Sequence, residues 1–271
     1  MSTGSARCWQ RWGFPVADYF GPYRLDAVYH EVYTQALMKV PTRGVGLVIL
    51  DPPYDEWPSM DLALISAMVG SGVVICFAWQ PEATDVMMRM RAFKGMKFRE
   101  EIIWFDPQGT LVSKQRVLKT HRNILVFSRG DPHVDHRQGA PIADRSAQTK
   151  GRTVLGRWVS PRERVYRPEA QRQNSSVWEY PRDLRSPGGR WSRPLELMKR
   201  LIRTYSELHT LVLDPRAGYG EALLAAQQLD RPFLGFESRA DLFQHAEHLL
   251  RYGRPRVPEP AEAPLLSGGD G

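Results

Sequence analysis

The chain has 271 residues, 42% of them apolar, enough for one large α/β domain or two small ones. No apolar run approaches the roughly 18 residues of a membrane span. The first residues lack a signal-peptide core, and two cysteines, Cys8 and Cys76, allow neither a disulfide framework nor a four-ligand zinc site, which suits a reducing cytoplasm. Net charge is +7 and uneven: residues 106–190 hold 17 Lys and Arg against 8 Asp and Glu, and the remainder is slightly acidic. Such a block is the footprint of a polyanion partner, or else a solvated basic loop.

Residues 1–23 are aromatic and irregular (Trp9, Trp12, Phe14, Tyr19, Phe20, Tyr23) and read as an arm packed on the domain. Leu25–Val40 has helical spacing in Leu25, Val28, Tyr29, Val32 and Leu37 and stops at Pro41. Asp26 in it is a candidate to approach a cofactor. Val45–Leu50 is short, apolar and β-branched, with glycine before it and proline after it, which predicts a buried strand ending in a stiff turn, Asp51-Pro52-Pro53-Tyr54. Two prolines fix φ and hold the preceding residue extended. Asp51 is therefore expected at the carboxyl end of a strand, where open α/β sheets bind ligands. A carboxylate and a fixed carbonyl together accept the two hydrogens of an exocyclic amine, and Tyr54 offers a face to a planar base. The plainer alternative is a strand end followed by a half-buried aromatic.

Ser59 is placed to cap a helix running to about Val69. Val73–Ala78 reads as a second buried strand, and Glu82–Phe93 as a helix with Ala83, Val86, Met87 and Met90 on its core face. Phe98–Phe105 and Asn123–Ser128 read as further strands. This alternation predicts a doubly wound sheet. Between the last two strands, Asp106–Thr120 is polar and basic. It should project from the same end of the sheet as Asp51, so that Lys114, Arg116 and Lys119 could clamp phosphates. His121 reads as a hydrogen-bonded edge residue. From Asp131 to Arg190 regular structure is hard to see. This stretch carries eleven Arg and one Lys among Trp158, Tyr166, Trp178 and Tyr180. Arginines such as Arg152, Arg157, Arg162 and Arg164 can fork to guanine edges or phosphates, and aromatics can stack or wedge. A segment of this length is functional, or unstructured until a partner binds. We read it as a recognition insert for duplex DNA.

Ser192 is placed to cap a helix from Arg193 to Tyr205, with Leu195, Met198, Leu201, Ile202 and Tyr205 buried. Leu211–Leu213 then predicts a strand, Asp214-Pro215 leaves it, Gly218 and Gly220 form a tight turn, and Glu221–Leu229 a helix. Glycine lets a ligand approach the backbone, and a helix N-terminus presents free N–H groups. The next strand, Phe233–Phe236, ends at Glu237, placed to accept from ribose hydroxyls. Asp241–Leu250 predicts the last helix, and residues 253–271 lack periodicity.

The Asp51-Pro52-Pro53-Tyr54 turn resembles the catalytic motif of amino-directed DNA methyltransferases, which methylate adenine N6 or cytosine N4. The glycine turn after Asp214-Pro215 is similar to that family's cofactor motif. An acidic-proline turn first, a glycine turn second and a basic block between them resembles the β-class order. Arg193-Pro194, residues 101–104 and residues 123–127 add to the likeness, which spans residues 44–250. The resemblance implies S-adenosylmethionine as cofactor and a Rossmann-like, doubly wound, mostly parallel seven-stranded sheet with permuted motif order. It implies a base flipped onto Tyr54, with Asp51 and the Pro52 carbonyl holding its amine and Pro53 stiffening the turn. Asp214, Pro215, Ala217, Gly218, Gly220 and Arg193 would contact the cofactor, and Glu237 its ribose. No metal is implied. Asp at the head of the turn favours adenine within the family. Arg216 stands where the pattern has Phe, and Glu221 where it has Thr. Gly189-Arg190 replaces the usual His-Pro, and Phe105-Asp106 a usual Lys. Arg216 and Glu221 motivate a second reading, a DNA-binding protein on a catalytically decayed scaffold, and a third keeps the chemistry but changes the acceptor to cytosine N4 or RNA. The organisation expected is an arm (1–23), a catalytic half (24–130), a recognition insert (131–190), a cofactor half (191–252) and a tail (253–271). A homodimer and a separate cognate endonuclease are compatible partners.

Overall fold

The computed structural model describes residues 18–110, 115, 117–135, 152–154, 157–159, 175–182 and 193–253. Among the described residues, twelve strands run in chain order: β1 (Tyr19–Phe20), β2 (Tyr23–Arg24), β3 (Ala27–His30), β4 (Val45–Leu50), β5 (Val69–Ala78), β6 (Met96–Thr110), β7 (Lys119–Arg129), β8 (Arg152–Val154), β9 (Arg157–Val159), β10 (Val177–Glu179), β11 (Val212–Asp214) and β12 (Phe233–Glu237). The α-helices are α1 (Tyr33–Leu37), α2 (Leu62–Met68), α3 (Glu82–Ala92), α4 (Leu195–Tyr205), α5 (Glu221–Gln228) and α6 (Ala240–Tyr252). A 3-10 helix, Tyr54–Ser59, follows the proline turn.

One eight-stranded sheet has the order β10-β6-β7-β5-β4-β11-β12-β3. All neighbours are parallel except the two pairs made by β7, with β5 and with β6. The doubly wound expectation holds. The strand count is one higher than the seven that the resemblance implies.

Parallel strands covered on both faces are apolar throughout rather than alternating. In β4, Val45, Val48 and Leu50 enter one core with Leu37, Leu62, Ile65 and Met90 from α1–α3. Leu47 and Ile49 enter the other core with Leu201 and Leu223 from α4 and α5. Met90 is core filler, as its spacing indicates. No helix among the described residues is long and apolar enough to cross a membrane.

Several expectations change. Leu25–Val40 is not one helix: β3 pairs in parallel with the edge of β12, and only Tyr33–Leu37 is helical. Val28 and Tyr29 suit a helix face and a strand edge alike, and pairing with the open edge of β12 wins. Asp26 is remote from the ligand end, because its carboxylate accepts from the Phe233 N–H at the start of β12 (3.3 Å). Ser59 does not cap α2. Its hydroxyl donates to the Glu56 carbonyl (2.9 Å), and Asp61 caps instead, accepting from Leu64 N–H (2.9 Å). Ser192 lies outside the described residues, and α4 starts after Pro194. Trp178, named among the insert aromatics that can stack or wedge, is buried in β10 beside Trp104, with the Arg200 guanidinium 4.0 Å from the centre of its ring. The end of the basic block is therefore sheet edge.

The β4–β5 pair is tight where Gly72 meets Gly46: a Cβ at Gly72 would press into the Gly46 carbonyl. Gly72→Ala is expected to lower stability by about 1–3 kcal/mol, seen as a lower urea midpoint with an unchanged slope.

Candidate active site

The chain leaves β4 towards β5 on one side of the sheet, and leaves β11 through α5 towards β12 on the other. β4 and β11 are hydrogen-bonded neighbours, so a topological switch point lies between them, where such sheets open a crevice at the strands' carboxyl ends. A cavity of about 530 Å³ lies there. Asp51, Pro52 and Pro53 line it from the end of β4. Asp214, Ala217 and Gly218 line it from the end of β11, and Glu237 from the end of β12. Two turns more than 160 residues apart in the chain thus share one space, together with the apolar side chains of Ile49, Met198 and Leu242.

Asp51 is gripped by Arg193. Nη2 donates to Oδ1 at 2.6 Å, and Nε stands 2.5 Å from Oδ2. Pro194 holds Arg193 extended ahead of α4. The guanidinium lies over Trp104 and Phe77, 5.7 and 5.8 Å from their ring centres. Burial pushes the Asp51 carboxyl up, and the charge and hydrogen bonds of Arg193 pull it back. Arg193 was expected among the cofactor residues; it lines the cavity, but its strongest contact is with the acidic turn.

Asp214 is buried and accepts from the Arg216 N–H (3.1 Å). Burial holds its carboxyl well above the ordinary range, opposed by that N–H and reinforced by the nearby charges of Asp51, Glu237 and Glu221. Glu237 is buried at the end of β12 and accepts from Gly218 N–H (2.9 Å) and Arg239 N–H (2.8 Å). Gly218 has φ +53°, and a Cβ there would meet almost nothing, so its bare backbone faces open cavity.

Pro215 and Gly220 do not line the cavity. Gly220, φ +90°, is a packing residue: a Cβ there would come within 2.9 Å of Ala246 on α6. The lining also includes Asp55, Glu56, Arg216, Tyr219, Glu221 and Arg239. Asp55 and Glu56 follow the proline turn directly, a proximity that could have flagged them. Arg239 and Leu242 carry no such signal.

The Tyr54 side chain, Lys114, Arg116, Arg162 and Arg164 lie outside the described residues, and for Arg152 and Arg157 only the backbone of the β8–β9 hairpin is described. Lys119 stands at the base of the β6–β7 hairpin, its Nζ 4.6 Å from the centre of the Trp79 ring. β6 runs parallel to β4 and β5, so this hairpin does project from the Asp51 end of the sheet. His121 is an exposed β7 residue opposite Phe105.

Comparison with known proteins decides the family. A model of N6/N4 DNA methylases matches residues 54–248. The chain belongs to the N6/N4 DNA methylase family. The type II methyltransferase M1.MboII of Moraxella bovis is 25% identical to this methylase over 248 residues, covering 79% of this chain and 92% of its own. M.BglII of Bacillus subtilis is 22% identical over 273 residues, covering 85% and 70%. In fold the methylase is similar to the structure of the M1.HpyAVI–SAM complex (TM-score 0.57, 18% identity, covering 82% of this chain and 98% of that one). It is also similar to the PvuII DNA methyltransferase, named as cytosine-N4-specific (TM-score 0.59, 18% identity, covering 83% and 85%).

The buried Asp214 sets a pH dependence. Its folded-state pKa is raised, so as pH climbs past the ordinary carboxylate range the unfolded chain releases its proton first and stability falls. Asp214→Asn removes that loss. The variant is expected to melt above wild type at pH 8, with the gap closing towards pH 4, as followed by circular dichroism.

Proposed function

We propose that this methylase transfers a methyl group from S-adenosylmethionine to adenine N6 in duplex DNA. The observation that carries the proposal is the shared cavity: the acidic proline turn and the glycine turn open onto the same space at the switch point. The residues present fit that cofactor. A sulfonium is a cation, and six acidic side chains line the cavity (Asp51, Asp55, Glu56, Asp214, Glu221 and Glu237) against three arginines. Ile49, Met198 and Leu242 offer apolar surface for a purine, Glu237 is a buried acceptor for ribose hydroxyls, and Gly218 admits a ligand against the backbone.

When bound, the cofactor supplies an electrophilic methyl carbon. The chain's own residues prepare the amine. Asp51 and the Pro52 carbonyl accept its two hydrogens, which draws them from the ring plane and restores lone-pair density on nitrogen. Arg193 orients the Asp51 carboxylate and favours its charged form against the burial that pushes its carboxyl up. The same carboxylate is the nearest acceptor for the proton lost as the new N–C bond forms. Tyr54 stacks on the flipped base. DNA lies across the carboxyl end of the sheet, its phosphates met by Lys114, Arg116 and Lys119 of the β6–β7 hairpin and by Arg152, Arg157, Arg162 and Arg164 of the insert. The relatives' names as type II methyltransferases support a place in a restriction–modification pair.

Asp51→Ala is expected to cut methyl transfer to duplex DNA by at least about a hundredfold, measured with labelled cofactor. Nucleoside digestion of the product should yield N6-methyladenine. N4-methylcytosine would move the acceptor to cytosine, and no cofactor heat in calorimetry would favour the decayed scaffold. In Arg193→Met the Asp51 pKa loses its downward pull. The acid limb of the methyl-transfer rate is therefore expected to move to higher pH, read from a pH–rate profile.

A further inference from the structure

The three arginines at the cavity differ in what holds them. Arg193 is bidentate on Asp51 and nearly buried. Arg239 pairs with Asp241 in solvent, both side chains more than 60% exposed. Arg216 pairs with Glu56. That contact reaches from the turn after β11 to the 3-10 helix behind the β4 turn, so it straps together the two turns that form the cavity. Arg216 is 19% exposed and Glu56 35%.

This arrangement meets an unsolved demand of the ligand. S-adenosylmethionine carries a carboxylate as well as its sulfonium and amine, and the lining is predominantly acidic. Asp51 and Asp214 sit deep, and Glu221 stands at the start of α5. A carboxylate entering here needs a cation, and a guanidinium fork matches its two oxygens. Releasing Arg193, itself buried, would leave its charge and that of the half-buried Asp51 unpaired, which is costly. Releasing Arg216 exposes only Glu56, which already reaches solvent and rehydrates cheaply.

We propose that Arg216 exchanges Glu56 for the α-carboxylate of S-adenosylmethionine, so that the Arg216–Glu56 pair is a strap the incoming cofactor opens. The inference rests on S-adenosylmethionine being the cofactor. It assigns a function to the position where the resembled motif has Phe, and it makes Glu56 a competitor that sets cofactor affinity.

Calorimetry of the full chain tests it with two ligands: S-adenosylmethionine, and its decarboxylated form, which keeps the sulfonium and amine. Arg216→Ala is expected to weaken S-adenosylmethionine by roughly tenfold to a hundredfold and to leave the decarboxylated ligand within about twofold. Glu56→Gln removes the competing partner and is expected to tighten S-adenosylmethionine several-fold, a gain that a folding defect cannot imitate. Equal losses for both ligands in Arg216→Ala, or no tightening in Glu56→Gln, overturn the inference while leaving the cofactor in place. Wild type giving no heat with either ligand overturns the cofactor reading and the strap together.

Discussion

Parallel hydrogen bonding between β4 and β11, with Leu47 opposite Val212 and Val48 opposite Leu213, is the constraint on which the site depends. The chain departs from these two strands in opposite directions, so no connecting loop fills the space above their carboxyl ends. Each strand also delivers a turn into that space, one acidic and proline-stiffened, the other glycine-containing and flanked by buried acids. A register slip of one residue would turn Asp51 or Asp214 towards a different face and dismantle the cavity wall.

Around that frame the charges are arranged in layers. The deepest pair, Asp51 with Arg193, is held by a bidentate contact and by the aromatic faces of Trp104 and Phe77. Buried ion pairs of this kind contribute little net stability, because desolvation offsets their attraction. Here the charge and hydrogen bonds of Arg193 oppose the upward push that burial gives the Asp51 carboxyl. Asp214 is pushed up by the same burial, and the nearby charges of Asp51, Glu237 and Glu221 add to that push instead of opposing it. Burial thus raises both of these neighbouring aspartates, with Arg193 opposing the shift at Asp51 and surrounding acids enlarging it at Asp214.

The end of the arginine-rich block is built onto the far half of the same sheet. β10 arises late in the arginine-rich block and pairs with β6, where Trp104 Nε1 donates to the Tyr180 carbonyl (2.8 Å). Arg182 then pairs with Asp106 (2.5 Å) and donates to the Gly109 carbonyl (2.5 Å). Both acceptors lie in the part of β6 that leads into the β6–β7 hairpin, so the end of the basic block is tied to the hairpin at the carboxyl end of the sheet.

The sequence alone determined the elements whose signals are local. An apolar β-branched run with Pro-Pro after it permits only a buried strand and a stiff exit, so β4 and Asp51 were legible. So were the glycine turn before α5 and the acidic end of β12. Tertiary structure decided what depends on a partner strand or a packed neighbour. Ala27–His30 became a strand because β12 offered an open edge, and Trp178 became core because β6 did. Gly220 became a packing residue because α6 lies against it, and Arg193 became the counter-ion of Asp51 because α4 starts above β4. Local residues set what a segment can form. Only the sheet order brings together groups such as Glu56 and Arg216, whose 160-residue separation carries no periodicity or motif to link them.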